Sequence, residues 1–388
     1  MFLLLIVFLW LAFCILSFGI LGLNFILTRK AELKPWKLKI DRDYQPSISF
    51  LVPTYNELEV IQYKLENLIK LQYPKNLMQI IIVDSKSTDG TIEISNEFIK
   101  QHPGIDIKLF IDDKGTGKSA AMNSALNFVK GELIIVSDAD CFYPSDILQN
   151  SLPYLSDPKV GAISGPKILL NSESSTAARN EAQYLKSANK TKLGESKIGF
   201  TPLFEGGFSA YRKTVLSSFD PYKTGSDDCG TIIQLAEKSY RALMVPEAAF
   251  YTTFPITWKE RFGIKIRRAN QLVRVFSKYL QLLLKGRIKN SQSVILANTL
   301  IYLFCPWFFM VFLGLTIATF ALYPYSLLLL LLFFVPKVGP MLLEAIQSYL
   351  ILFFSIFAVI FRKNFLIWKK PADRQLLTKE MLIQNNLI

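Results

Sequence analysis

ELIIVSDAD, residues 132–140, is a short apolar run that stops at two carboxylates one residue apart. Apolar positions in unbroken succession, without alternation, predict a strand buried on both faces. ISFLVPTY (48–55), QIIIVDS (79–85) and IKLFIDD (107–113) read the same way: four or five apolar residues, then polar ones. Between these strands, NELEVIQYKLENLIKL (56–71) and GKSAAMNSALNFVK (117–130) carry apolar residues at helical spacing. Such alternation predicts an α/β domain over 48–255, a mainly parallel sheet covered on both faces. Ligands of these sheets sit beyond the carboxyl ends of the strands. The sequence places Asp84, Asp112, Asp113, Asp138 and Asp140 there.

The flanks of this domain differ in kind. Of 388 residues, 51% are hydrophobic, and the excess gathers in the first 28 positions and again after about 293. Residues 1–28 are nearly uncharged and long enough to cross a bilayer. No basic stretch precedes them and no small-residue cleavage site follows, so a membrane helix is expected rather than a cleaved leader. Arg29, Lys30, Lys34, Lys37 and Lys39, in a linker over 29–47, place that end and the following domain in the cytoplasm. Residues 256–290 mix Trp, Phe, Ile and Leu with cations, as amphipathic helices in the membrane interface do. A C-terminal membrane region of two or three helices spans 293–361. Within it 293–322 and 341–361 are long enough to cross, whereas the run ending at Pro336 is short and can be re-entrant. The basic tail at 362–388, with Arg362, Lys363, Lys369, Lys370 and Arg374, favours a cytoplasmic end and hence an even number of crossings after the soluble domain. A multi-pass protein of the cell membrane is the expectation.

The net charge of +13 fits this picture. The cations flank the apolar segments, a second group being Lys259, Arg261, Lys265, Arg267 and Arg268. Membrane lipids are their natural partners. No nucleic-acid motif accompanies them, so nucleic acid is not expected. Cys14, Cys141, Cys229 and Cys305 are scattered without a CxxC pair, and the single histidine, His102, lies in a loop-like QHPG stretch. Chemistry must therefore rest on carboxylates, lysine and arginine.

Asp138 and Asp140, at a strand end and one residue apart, can both approach one divalent cation, with diphosphate oxygens completing its shell. Their company is ordered along the chain. Pro53-Thr54-Tyr55-Asn56-Glu57 closes the first strand. Asp84-Ser85-Lys86-Ser87-Thr88-Asp89-Gly90-Thr91 closes the second. Gly117-Lys118 through Asn123 follows the third, and after Asp140 come Phe204-Glu205-Gly206-Gly207, Arg212 and Ser226-Asp227-Asp228. This succession resembles the family 2 glycosyltransferases, whose catalytic domain has the Rossmann-like GT-A fold, over about residues 48–275.

The resemblance implies an inverting, metal-dependent transfer of a sugar from a UDP- or GDP-sugar to a lipid-linked or glycan acceptor. Pro53, Tyr55 and Glu57 would line the base and ribose pocket, Asp84 would meet the base, and Lys118 would sit near the donor phosphates or sugar. Asp138 and Asp140 would hold the sugar and the diphosphate bound to Mg²⁺ or Mn²⁺, Asp140 being the firmer metal ligand. Asp228 would be the general base, with Asp227 its rival and a helix cap the competing role for the pair. Polymer-making members resemble Gln271-Leu272-Val273-Arg274-Val275 with Q-x-x-R-W; here Gln271 and Arg274 would reach the donor, and Val275 replaces the indole, which argues against processive synthesis. Three alternatives remain. One is a processive polysaccharide synthase, and one a membrane scaffold or transporter subunit with a degenerate nucleotide-sugar domain. The third is a P-loop enzyme, suggested by Lys114-Gly115-Thr116-Gly117-Lys118-Ser119 but opposed by Asp112 where that loop needs glycine.

Overall fold

The computed structural model describes residues 2–113, 117–336, 338–361 and 376–388. The strands are β1 (Ile48–Thr54), β2 (Met78–Asp84), β3 (Asp106–Ile111), β4 (Leu133–Val136), β5 (Val160–Ser164), β6 (Lys167–Leu169), β7 (Ser209–Arg212), β8 (Arg241–Met244) and β9 (Phe250–Thr252). Seven of them form one sheet in the order β3-β2-β1-β4-β7-β5-β8, and β6 pairs with β9 apart from it. All four strands expected from the sequence are present and mutually parallel. The sheet is nevertheless mixed, because β7 lies antiparallel between β4 and β5. That insertion has a local cause. An antiparallel strand starts at the edge where its parallel neighbours end, so the residues leading into β7, Phe204 to Phe208, lie beside Asp138.

Every residue of β2 is buried, as an interior parallel strand requires. Pro53 is tolerated inside the sheet because β4 pairs with β1 only as far as Leu51, so no ladder bond is lost there. The two faces separate residue by residue: Phe50, Ile80, Ile82 and Ile135 enter one core, and Leu51, Ile81, Val83 and Ile134 the other. This is the period of two expected of strands.

The helices, in chain order, begin with α1 (Phe2–Cys14) and α2 (Ile20–Glu32), joined by a π turn. In the catalytic domain they are α3 (Ile61–Ile69), α4 (Thr91–Gln101), α5 (Lys118–Ala125), α6 (Ile147–Ser151), α7 (Thr176–Ile198) and α8 (Cys229–Glu237). α9 (Trp258–Leu284), α10 (Gln292–Thr299), α11 (Cys305–Leu322), α12 (Val338–Ile360) and α13 (Lys379–Gln384) complete the chain. Three stretches are long and apolar enough to cross a membrane: Leu4–Glu32, Gln292–Leu322 and Leu342–Ile360. The short run between the last two is a 3₁₀ helix, Pro324–Phe334. The basic tail residues Arg362, Lys363, Lys369, Lys370 and Arg374 lie outside the described residues.

α9 differs from a helix resting in the interface. It is one continuous helix clasped on two sides: Phe276, Tyr279 and Leu282 enter the catalytic core, and Ala269 and Val273 pack with Phe309, Tyr349 and Leu352 of the apolar helices. Its cations are not all displayed to lipid either. Arg261 has 2% of its side chain exposed and pairs with Glu181 of α7 at 3.1 Å. α7 in turn crosses α2 so closely that a Cβ on Gly194 would stand 2.0 Å from the Thr28 carbonyl oxygen. Residues 376–388, beyond the last apolar helix, return to the catalytic domain, where Leu382 and Leu387 join its first core. The Asn67 amide of α3 donates to the Leu387 carbonyl at 2.6 Å.

Candidate active site

The site forms where the first four strands end. Asp138 and Asp140 follow β4 directly, and their carboxylate oxygens lie with the Cys141 sulfur within 4.8 Å of one another. Burial, with Asp140 and Asp138 close by, drives the Cys141 thiol well above its ordinary range. A hard divalent cation such as Mg²⁺ or Mn²⁺ prefers carboxylate oxygen to sulfur, so the donor set suited to it is the two carboxylates. Hard oxygen donors at this spacing suit a divalent cation that draws its remaining ligands from a diphosphate and water.

Lys118 opens α5 and reaches across the site. Its Nζ donates to Asp138 Oδ1 at 2.6 Å and pairs with Asp227 Oδ2 at 2.5 Å. Burial works to lower its pKa, but Asp138 and Asp227 outweigh burial and hold the ammonium charged. One lysine thereby links the strand end to the loop before α8. Burial raises the pKa of Asp138, and Lys118 opposes that rise.

For Asp227 the sequence sets capping against catalysis; the structure gives the cap to Asp228. Asp228 is the N-cap residue of α8, its side chain accepting from Cys229 N at 2.6 Å and from the Ser226 hydroxyl. Both bonds use Oδ1. Oδ2 turns instead towards Gly206, where a Cβ would stand 3.6 Å from it, 3.5 Å from Asp138 Oδ2 and 3.5 Å from Lys118 Nζ. Burial and then the neighbouring Asp227 raise the pKa of Asp228. Gly206, quoted in the sequence only within Phe204-Glu205-Gly206-Gly207 and given no role of its own there, lies in the site. The signal for it was the pair Gly206-Gly207, since a Cβ on Gly207 would stand 2.1 Å from the Phe250 ring. That crowding leaves the chain no room to move away from the carboxylates.

The loops after β1 and β2 are stitched by hydrogen bonds from uncharged donors. Asp84 is fully buried and accepts from Thr54 Oγ1 at 2.8 Å and from Ser87 N and Oγ at 2.8 and 2.6 Å. Its carboxylate shapes the β2 turn. Asn56 N donates to Ser87 Oγ, Thr88 N to Asn56 Oδ1 and Glu57 N to Thr91 Oγ1, each at 2.8 Å. Glu57 is thus buried, whereas Tyr55, 53% exposed, stands out at the mouth. Pro53 lies within β1 just before this turn. Lys114, Gly115 and Thr116 lie outside the described residues, and Lys118 pairs with carboxylates as just described.

α9 closes the other side. Gln271 Nε2 donates to the Gly225 carbonyl at 2.5 Å, fixing the loop that carries Asp227 and Asp228. Arg274 Nε donates to Asn270 Oδ1 at 3.1 Å. Arg267, read from sequence only as flanking charge, stands one turn before Gln271, near enough for Asp227, Asp228 and Asp138 to act on its guanidinium; burial, the largest influence, lowers its pKa. Val275, where polymer-making members carry Trp, is fully buried in the second core. Asn123 ties α5 to Phe219 by a reciprocal pair of bonds at 3.0 and 2.7 Å and stays out of the site.

Residues 46–270 match the model of Glycosyltransferase like family 2. The chain belongs to that family. Poly-beta-1,6-N-acetyl-D-glucosamine synthase of Staphylococcus epidermidis is 27% identical over 231 residues, 58% of this chain and 55% of that protein. Beta-monoglucosyldiacylglycerol synthase of a Nostoc species is 35% identical over 128 residues, 33% of this chain and 27% of the relative. The chain spans little more than half the length of the N-acetylglucosamine synthases it matches. Among solved structures, the mannosyltransferase PcManGT of Pyrobaculum calidifontis, in complex with GDP-Man and Mn²⁺, superposes with a TM-score of 0.79 at 27% identity, covering 92% of this chain and 99% of that one. This likeness reaches well past the catalytic domain, into the α9–α12 region. A GT-A fold extended by apolar helices is therefore the architecture of the chain.

Proposed function

We propose that this member of the family transfers a sugar, with inversion, from a nucleotide diphosphate donor to a hydroxyl presented at the membrane face. The observation that carries the reading is the bare face of Gly206, on which Asp138 Oδ2, Asp228 Oδ2 and Lys118 Nζ converge within 3.6 Å of one point. A donor carboxylate and a base oxygen flanking one open spot is what an in-line displacement needs. Asp228 Oδ2, free of the capping bonds, takes the hydroxyl proton as the acceptor oxygen attacks the anomeric carbon. The raised pKa of Asp228 makes it a better base than an ordinary carboxylate. Asp227 serves as the partner that keeps Lys118 in place.

Asp138 and Asp140 would hold Mg²⁺ or Mn²⁺, which neutralises the charge that grows on the departing diphosphate. Lys118, Arg274 and Gln271 frame the donor phosphates, and Pro53, Tyr55, Glu57 and Asp84 shape the pocket for the base and ribose of a UDP- or GDP-sugar. The burial of Val275 in the core and the modest apolar helix set support single transfer to a lipid-linked or glycan acceptor over a processive synthase. The likeness to PcManGT supports a nucleotide-sugar donor and Mn²⁺. The three apolar stretches and the cations at 29–39 support a multi-pass protein with its catalytic domain on the cytoplasmic side.

The test is donor turnover by detergent-purified full chain, screened over nucleotide sugars with Mg²⁺ or Mn²⁺. Metal-dependent release of nucleotide diphosphate is expected. No release from any donor, with membrane lipids added, would overturn the transferase reading in favour of a binding or scaffold protein.

A further inference from the structure

Behind Gly206 lies a line of charge that the transfer step does not use. Glu205 receives two lysines, Lys192 from α7 and Lys167 from β6, the latter at 3.6 Å. Burial would raise its pKa, but Lys192, Lys167 and Arg268 hold its carboxyl well below the usual range. Arg268 of α9 bonds Glu181 through Nη1 at 3.2 Å, with a third of its side chain still exposed. Arg261 joins Glu181 at 3.1 Å and Glu344 at 3.5 Å, and Lys265 also pairs with Glu344. Glu344 belongs to α12, just inside the apolar stretch Leu342–Ile360. The line therefore runs from a candidate membrane helix, between α7 and α9, to the residue next to Gly206.

Five cations share three carboxylates along this line. Two positive charges in excess, mostly shielded from water, are costly unless an anion completes them. Each carboxylate takes two cations; at Glu205 these are Lys167 and Lys192, and Arg268, paired with Glu181, is near enough to act on the Glu205 charge. Phosphate oxygens fit that deficit in charge and in hydrogen-bond capacity. Glu205 also lies close enough to Asp228 to act on its ionisation, so the anion and the attacking hydroxyl are near neighbours.

Resting on the transferase reading above, we propose that the acceptor carries a phosphate as well as its hydroxyl: a membrane lipid joined to a sugar through phosphate or diphosphate. The hydroxyl meets Asp228, and the phosphate sits against Lys167, Lys192 and Arg268, with the lipid chain leading along α9 towards α12. The bond formed joins the acceptor oxygen to the anomeric carbon. The bond broken joins that carbon to the donor's diphosphate, which leaves with the electron pair, while the hydroxyl proton goes to Asp228. The phosphate of the acceptor is bound and not consumed.

Binding is read first, without donor or divalent cation, as the shift in melting temperature of the full chain with a polyprenyl diphosphate in detergent micelles. The wild type is expected to be stabilised by several degrees, and the Lys167→Gln/Arg268→Gln variant not at all. Lys167→Arg, which keeps the charge, should retain the shift and shows that charge rather than folding is read. Equal stabilisation by inorganic diphosphate would overturn the lipid source, and equal stabilisation of wild type and double variant would overturn the site. With donor turnover established, a sugar linked through diphosphate to a lipid should be used at least about tenfold better than the same sugar on a neutral lipid. The double variant should raise the KM for the charged acceptor by a similar factor while the donor KM stays put. A double variant that moves the donor KM instead assigns these cations to the donor diphosphate and sinks the inference. Failure of turnover with a preserved binding shift would count against the transferase reading alone.

Discussion

The two halves of this catalytic domain are held together by different chemistry. Around β1 and β2 the loops interlock through short hydrogen bonds from uncharged donors, Asn56 with Ser87 and Thr88, Glu57 N with Thr91, and the Asp84 carboxylate with Thr54 and Ser87. Around α7 and α9 the contacts are between full charges, Arg261 and Arg268 on Glu181 and two lysines on Glu205. Such hydrogen bonds fix loop shape without a second ion, the buried Asp84 carboxylate being satisfied by three uncharged donors. Buried ion pairs cost desolvation, and the surplus cation attracts anions. On the proposed function, the first half would present a fixed surface to a donor and the second would receive charge.

Breaking each half should show which step it serves, and the largest effect falls on the divide between them. Asp140→Asn should lower both donor hydrolysis and transfer by about 10³-fold, because it strips a carboxylate from the donor set; a variant retaining more than a tenth of wild-type turnover would remove Asp140 from that role. Asp228→Asn should cut transfer by about 10²-fold or more while the donor KM is kept, since amide nitrogen cannot accept the proton. In the wild type, kcat/KM should fall as pH drops, with a midpoint above the ordinary aspartate value of about 4, because burial raises this pKa. A midpoint at or below that value would point to another base.

Smaller effects sharpen the contrast at the seam of α7 with the membrane helices. Burial pushes Glu195 up to about 7, against hydrogen bonds from Asn298 and Thr201 that lower it. The folded protein thus holds a proton that the unfolded chain releases at lower pH. The stability contributed by protonated Glu195 is full below the unfolded value of 4.5 and is lost as pH rises through about 7. Glu195→Gln should therefore melt no higher than wild type at pH 5 but higher at pH 8, by up to roughly 3 kcal/mol of stability. Equal melting at both pH values would place Glu195 in contact with water. Smallest is Gln271→Leu, which releases the Gly225 carbonyl and should lower kcat about five-fold, on the order of 1 kcal/mol for one hydrogen bond. An unchanged kcat would mean that the Asp220 contacts to Thr224 and Gly225 hold this loop without α9.

The half around the ends of β1, β2 and β4 could be read from the sequence because it is local. A buried parallel strand is an unbroken apolar run, and its turn follows within a few residues, so Asp84, Lys118, Asp138 and Asp140 announced themselves by position. The acceptor half is assembled from afar. Glu205, Lys192, Lys167 and Arg268 lie on four separate segments, and nothing in the local pattern pairs them. For the same reason Arg261 and Lys265 read as lipid-facing charge, although carboxylates on α7 and α12 claim them. β7 escaped notice as an antiparallel strand because four residues carry no direction, and Gly206 escaped because a missing side chain leaves no chemical signature. Asp227 and Asp228 are adjacent, so only the helix start beneath them decides which one caps it.

The return of residues 376–388 to the first core has a consequence for how the protein is made. Leu382 and Leu387 complete an apolar interior whose other members, Phe50 and Ile80 among them, emerge from the ribosome some three hundred residues earlier. Asn67 must wait as long for Leu387. A nascent catalytic domain consequently keeps an open apolar groove until the helices after α9 have been synthesised and lodged. Completion of this core therefore follows synthesis of α11 and α12, the apolar helices that lie between α9 and residue 376.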